Sequence, residues 1–278
     1  MPRDLRAGRA THWQMMGQGA RPGLAIHCSL GHAGSWVALG RDLSDLLTIT
    51  AFDLPGHGLS APWDGAGEIQ AASTAIAAAF LDGPADIIGH SFGATVALRL
   101  AVEHPHLVRS LSLYEPVFFA VALADRPDLR AGHEAEMAAF RAGMEAGDMA
   151  AAARGFLSVW GDAEGLDAMP PAIRDRMAAQ MPLIVAAAAA LYEDAGGMLA
   201  SGAITRIEAP VLLMEGVRSP AIIAAINDGL AARLPQASRA RIDEAGHMGP
   251  ITHPCTVADA IRGFLSPARA ARRNPEPG

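Results

Sequence analysis

Ser91 stands inside Gly89-His90-Ser91-Phe92-Gly93, after the β-rich Asp86-Ile87-Ile88 and before Ala94-Thr95-Val96-Ala97-Leu98-Arg99-Leu100-Ala101-Val102, which reads as a helix. Strand, tight turn and helix therefore enclose the pattern G-x-S-x-G. A turn this sharp brings the two backbones so close that a side chain at Gly89 or Gly93 would collide. The serine is held outward above the positive end of the helix, which suits a nucleophile that carries negative charge in its transition state. Such chemistry also needs donors for an oxyanion. The loop His27-Cys28-Ser29-Leu30-Gly31-His32-Ala33-Gly34-Ser35-Trp36 is rich in small residues and follows the short apolar strand of residues 24–27, where backbone N–H groups can turn toward a ligand.

These residues need a scaffold, and the chain reads as alternating strands and helices. An edge strand is expected over residues 11–16, a helix over 35–46 and a strand over 47–52. That strand is closed by Asp53-Leu54-Pro55-Gly56-His57-Gly58-Leu59-Ser60, where proline and turn-forming residues fix a tight connection. A helix over residues 68–81 stops near Gly83-Pro84. Beyond the Ser91 helix, His104-Pro105 ends the helical pattern, and a strand over residues 107–114 delivers Glu115-Pro116 to its C-terminal end. This alternation implies a mostly parallel sheet flanked by helices on both faces. From 117 to 201 the sequence turns helical and rich in Ala and Met, and reads as a cap inserted over the sheet. Strands at 211–215 and 239–242 and helices at 220–234 and 256–265 then resume the earlier rhythm. The expected organisation is a core of residues 1–116 and 202–265, a helical cap of 117–201 and a disordered tail of 266–278.

Composition narrows the function classes. A chain of 278 residues suits one large α/β domain, and its net charge of −7 argues against nucleic acid or an anionic membrane as partner. Every basic residue is arginine, so Schiff-base chemistry at lysine is excluded. Cys28 and Cys255 lie far apart without metal spacing, and the first residues lead into no apolar signal segment, which together point to reduced thiols and a cytoplasmic location. The longest apolar run, residues 183–191, is mostly alanine and roughly half a membrane span. No H-E-x-x-H motif or carboxylate cluster is present, and the histidines do not form a metal set, so neither metal nor cofactor is expected.

Taken together and in this order, the His27-Cys28 loop, the Asp53 to Ser60 segment, the Ser91 turn, the insertion, Pro210-Val211-Leu212-Leu213-Met214-Glu215-Gly216 and Ala245-Gly246-His247-Met248 resemble the α/β-hydrolase superfamily over residues 24–265. The resemblance implies an α/β-hydrolase fold, with Ser91 as nucleophile and His247 as base. It further implies an oxyanion hole made by the N–H of Phe92 and that of Ser29, with Leu30 as the register alternative. The acid departs from the commonest pattern: relatives place an Asp three residues after the strand ending at Gly216, and here that residue is Ser219. A few branches, haloalkane dehalogenases among them, carry the acid after the preceding sheet strand, which corresponds here to Glu115. Glu215 is the alternative, and an ordinary rim carboxylate is the bland reading of Glu115.

Trp36, His90 and Met248 are candidates to wall the substrate pocket, with packing beneath it as the alternative for His90. Met137, Met144, Met149, Met169, Met177, Met181 and Met198 either line it or simply pack the cap on the sheet. His27 and His57 read as packing residues, and Asp53 as the residue that ties down its turn. The implied activity is a cofactor-independent serine hydrolase acting on a small, largely apolar ester, thioester or C–C substrate. The alternative is a ligand-binding or regulatory protein on the same fold with a weak triad, motivated by Ser219 and by Cys28, which stands where relatives often have glycine. The expected partner is a small-molecule substrate, not nucleic acid or membrane; the oligomeric state, monomer or homodimer, stays open.

Overall fold

The computed structural model describes residues 3–266. Eight strands form one sheet: β1 (Arg3–Arg6), β2 (Arg9–Met16), β3 (Arg21–Ile26), β4 (Leu47–Phe52), β5 (Ala85–His90), β6 (Val108–Tyr114), β7 (Val211–Gly216) and β8 (Ala237–Ile242). Their spatial order is β1-β2-β4-β3-β5-β6-β7-β8. The β1–β2 and β2–β4 pairs are antiparallel and every other pair is parallel.

The parallel strands are buried on both faces, and their apolar residues alternate between two cores. Leu24, Ile26, Ile87, Leu111, Leu113, Val211 and Leu213 point to one side, where α2 (Ile69–Ala78), α3 (Phe92–Glu103) and α11 (Ala221–Arg233) supply Ile76, Val96, Leu100, Ile222 and Ile226. Ala25, Ile49, Ala51, Ile88, Leu212 and Met214 point to the other, where α1 (Val37–Asp42) and α13 (Pro254–Leu265) supply Leu39, Val257 and Ile261. Near-continuous apolar runs with a side-chain period of two are what a doubly covered sheet requires. At the opposite end from the Ser91 turn, buried Asp86 accepts from Arg21 at 2.8 Å, Arg109 at 3.1 Å and Ser110 at 2.7 Å, tying β3, β5 and β6 together.

Between β6 and β7 lie α4 (Phe119–Asp125), α5 (Arg130–Glu136), α6 (Ala138–Glu145), α7 (Met149–Trp160), α8 (Ala163–Ala168), α9 (Pro171–Ala179) and α10 (Met181–Tyr192), with no strand among them. Gly143 and Gly155 let α6 and α7 approach closely: a Cβ on Gly155 would lie 2.4 Å from the Phe140 nitrogen.

Three expectations from the sequence are corrected. The strand begun near Thr11 is not the edge, because β1 adds outside it through the Ala7-Gly8 turn, where both residues have positive φ. The helix expected over 35–46 ends at Asp42, with Leu43 to Leu46 folded back in turns. The loop expected over 243–250 ends in a short helix, α12 (Gly249–Thr252), and α13 starts at Pro254 because proline at a first helical position costs no hydrogen bond. Of the tail expected to be disordered, residues 267–278 lie outside the described residues.

Candidate active site

Ser91 sits at φ 56°, ψ −120°, between β5 and α3. For a non-glycine residue this backbone costs on the order of 1–3 kcal/mol, and it persists because its surroundings leave no alternative. A Cβ on Gly89 would lie 2.5 Å from the Ala94 Cα, and one on Gly93 only 2.2 Å from the Ile26 carbonyl oxygen. The Ser91 N–H donates to the Tyr114 carbonyl at 2.9 Å, fixing the turn to the neighbouring strand.

Three side chains from distant parts of the chain meet here. The Ser91 Oγ is 2.9 Å from His247 Nε2, and His247 Nδ1 is 2.7 Å from Glu115 Oε2. Glu115 is fully buried, and its second oxygen accepts from the Gly216 N–H at 2.7 Å and from the Ser219 hydroxyl. A carboxylate only accepts, so His247 carries its proton on Nδ1 and offers the Nε2 lone pair to the serine hydroxyl. Glu115 reaches this position through positive φ of its own, 48°. Glu215, the alternative acid, accepts instead from Asn227 at 2.9 Å and Arg239 at 2.7 Å, in an ion-pair network that excludes His247.

The loop carrying His247 is held by two donors. The Tyr114 hydroxyl donates to the Gly246 carbonyl at 2.8 Å, and His90 Nε2–H donates to the His247 carbonyl at 2.7 Å. Burial, and then the neighbouring His247, hold the His90 imidazole well below its ordinary pKa, so it stays neutral. His90 therefore lies beneath the site rather than on the pocket wall. Trp36 is likewise absent from the wall: its ring folds inward among Leu39 and Leu43 at 2% exposure, because burying so large an apolar surface outweighs leaving it at a rim. Met248 does line the cavity.

The N–H groups of Phe92, Ser29 and Leu30 have no hydrogen-bond acceptor among the described residues. Leu30 has φ 64°, and the Gly31 N–H donates back to the Cys28 carbonyl at 3.0 Å, so the loop turns sharply under Ser29. His27 pins this loop, donating from Nδ1 to the Cys28 carbonyl at 2.7 Å and accepting the Leu54 N–H at 3.0 Å. Burial lowers the pKa of His27 to about 3 and that of the adjoining His57 to about 4. Burial also pushes the Cys28 thiol up to about 12, so it is a packing residue and not a second nucleophile. Asp53 ties its turn, accepting from the Ala33 N–H at 2.6 Å, the Leu59 N–H at 2.8 Å and His12 Nδ1 at 2.8 Å.

Two spaces open from Ser91 and Ser29. The outer one, about 630 Å³, is bounded by His247, Met248, Met169, Met177, Gln180 and β2. The inner one, about 50 Å³, is walled by Val117, Phe119, Met137, Ala187, Leu191 and Tyr192. Phe156 and Trp160 border both, and the Trp160 ring stands edge-on to His247 with centroids 4.9 Å apart. Of the methionines weighed from the sequence, Met137, Met169 and Met177 line these spaces; Met144, Met149, Met181 and Met198 pack in or against the core. Sequence reasoning passed over Phe119, Phe156, Trp160 and Tyr192. Phe156 and Trp160 stand four apart on α7, a spacing that does place them on one helical face. No group of three metal-binding side chains occurs among the described residues, and none of the described helices is long and apolar enough to cross a membrane.

The model of the alpha/beta hydrolase family matches residues 24–260. Over 221 residues the chain is 33% identical to the pimeloyl-[acyl-carrier protein] methyl ester esterase of Neisseria meningitidis serogroup A, covering 78% of this chain and 68% of that protein. It is 38% identical over 120 residues to the dihydrolipoyllysine-residue acetyltransferase component of the acetoin cleaving system of Cupriavidus necator, a match spanning 42% of this chain and only 32% of that protein. Among solved structures, the enol-lactonase of Burkholderia xenovorans aligns with TM-score 0.70 at 19% identity, over 95% of this chain and 99% of that one. A thermophilic esterase from Thermogutta terrifontis aligns with TM-score 0.70 at 21% identity, over 95% and 98%. By sequence match and by fold, this chain belongs to the α/β hydrolase family and is an enzyme of that family.

Proposed function

We propose that this protein is a serine hydrolase that cleaves an ester of a short, apolar acyl group through an acyl-enzyme. The observation that carries the reading is the unbroken chain from the Ser91 Oγ through His247 to Glu115, at 2.9 and 2.7 Å. Ser91 attacks the carbonyl carbon as His247 Nε2 takes its proton, and Glu115 holds the resulting imidazolium. The oxyanion is received by the Phe92 N–H and the Ser29 N–H, with Leu30 as the neighbouring donor; one such donor is worth about 3–4 kcal/mol. Collapse of the tetrahedral intermediate expels the alcohol, which takes the proton from His247. Water then gives a proton to His247 and attacks the acyl-enzyme, releasing the acid and regenerating Ser91.

The two spaces divide the substrate. His247 borders the outer space but not the inner one, and it must protonate the leaving oxygen, so the alcohol belongs outside and the acyl group inside. Residues 117–201 act as the cap that closes both. An inner space of about 50 Å³, apolar on nearly every side, suits an acyl chain of a few carbons. The relatives named as esterases support the reaction type. Ser219, whose identity counted against a triad, donates to Glu115 instead, and this favours a working hydrolase over a ligand-binding protein on the same fold.

The test is Ser91→Ala with p-nitrophenyl butyrate and a fluorophosphonate label. The parent protein should turn over the ester and take the label, and the variant should do neither. Hydrolysis surviving in the purified variant rules the mechanism out.

A further inference from the structure

We infer that His12 and Gln14 form a polar subsite that receives a hydroxyl or amide group on the leaving-group arm of the substrate. The inference rests on the assignment of the alcohol to the outer space. Both residues lie on β2, two apart and hence on one face, and both border that space. Trp13 pairs in register with Phe52, and the Asp53 N–H donates to the His12 carbonyl at 2.9 Å, which sets His12 at the same rim of the sheet as Ser91.

The Asp53 carboxylate already accepts from two backbone N–H groups, and as an acceptor only it requires His12 to carry its proton on Nδ1. On the neutral ring this leaves Nε2 as a lone pair. His12 is 6% exposed, and Nε2 is buried with no partner among the described residues; the Gln14 side-chain Nε2 is in the same condition. Leaving such atoms unpaired is unfavourable, and the Ser91 chemistry uses neither. One acceptor and one donor, two residues apart on one face of β2, match a group that both gives and takes a hydrogen bond, a hydroxyl or an amide. A carboxylate would face the His12 lone pair and be repelled.

Position adds a length requirement. In the sheet, β2 is separated from β5 by β4 and β3, three strand spacings or about 14 Å. The polar group must therefore stand well out along the leaving group, not next to the ester oxygen.

The test compares butyrate esters of simple alkanols with those of ω-hydroxy, ω-amido and ω-carboxy alcohols, with linkers graded from about two to about ten carbons to bracket that span. For long linkers, kcat/KM for the hydroxy and amido esters should exceed that of the alkyl ester of equal length by about tenfold or more, mostly through KM. Short linkers should show no such preference. His12→Phe should bring the ratio toward one, and Gln14→Leu, at a partly buried position of β2, should do so where His12→Phe fails to fold. Equilibrium binding of the same esters to Ser91→Ala reads the ratio without turnover, so a parent protein that hydrolyses none of them sinks the serine-hydrolase reading while the subsite is still decided. A ratio near one in the parent, a ratio unmoved in both variants, or preference for the carboxylate overturns the inference.

Discussion

Replacing Glu115 by glutamine removes one charge and almost no volume, yet the surroundings of this side chain make it a severe change for catalysis. Three donors converge on the carboxylate: the Gly216 N–H, the Ser219 hydroxyl and His247 Nδ1–H. The amide oxygen of glutamine can satisfy the first two, which leaves its NH₂ facing the imidazole. Donor then meets donor unless the ring proton moves to Nε2, and in that tautomer Nε2–H points at Ser91 and cannot accept the serine proton. In a worked triad the same defect lowers the rate about 10⁴-fold, or about 5 kcal/mol of transition-state stabilisation. The fold should survive, since shape and two of three hydrogen bonds are kept. The assay is kcat/KM on p-nitrophenyl butyrate beside a circular-dichroism melt. A folded Glu115→Gln protein retaining a tenth or more of the parent kcat/KM refutes the reasoning and moves the acid role elsewhere.

Leu191→Ala should widen the inner space and move the preferred acyl chain toward greater length on a graded ester panel, at a stability cost of about 2–5 kcal/mol for a buried leucine; an unchanged chain-length optimum contradicts the placement of the acyl group. Acid should destabilise the fold through His57. Its pKa falls on folding from 6.5 to about 4, so the unfolded chain binds the extra proton between those values. The contribution is complete above about pH 6.5 and is lost as pH falls to about 4, for a total of about 3 kcal/mol. Urea midpoints measured from pH 7 to 4 should decline less steeply in His57→Gln, and parallel declines would show that this histidine carries none of the effect.

The Ser91 turn was legible in the sequence because it is governed locally. Gly89, Gly93 and the switch from strand to helix all lie within a dozen residues, and short-range sterics dictate them. The alternation of strands and helices was legible for the same reason, since a buried parallel strand shows as an apolar run and a helix as its periodic neighbour. His247 and Glu115 became candidates only through resemblance, and no local signal chose between Glu115 and Glu215. That choice is tertiary: β6 and β7 lie side by side, Glu115 turns through positive φ toward the His247 loop, and Glu215 on the adjacent strand faces Arg239. The pocket wall was least legible. Trp36 looked available at a loop end and is packed inside, whereas Phe119, Phe156, Trp160 and Tyr192, scattered along helices of the insertion, converge around Ser91. Local sequence states which backbone a residue can adopt; which side chains meet across 132 or 156 residues depends on how two layers of helices settle on a twisted sheet, and that packing is decided by the whole chain at once.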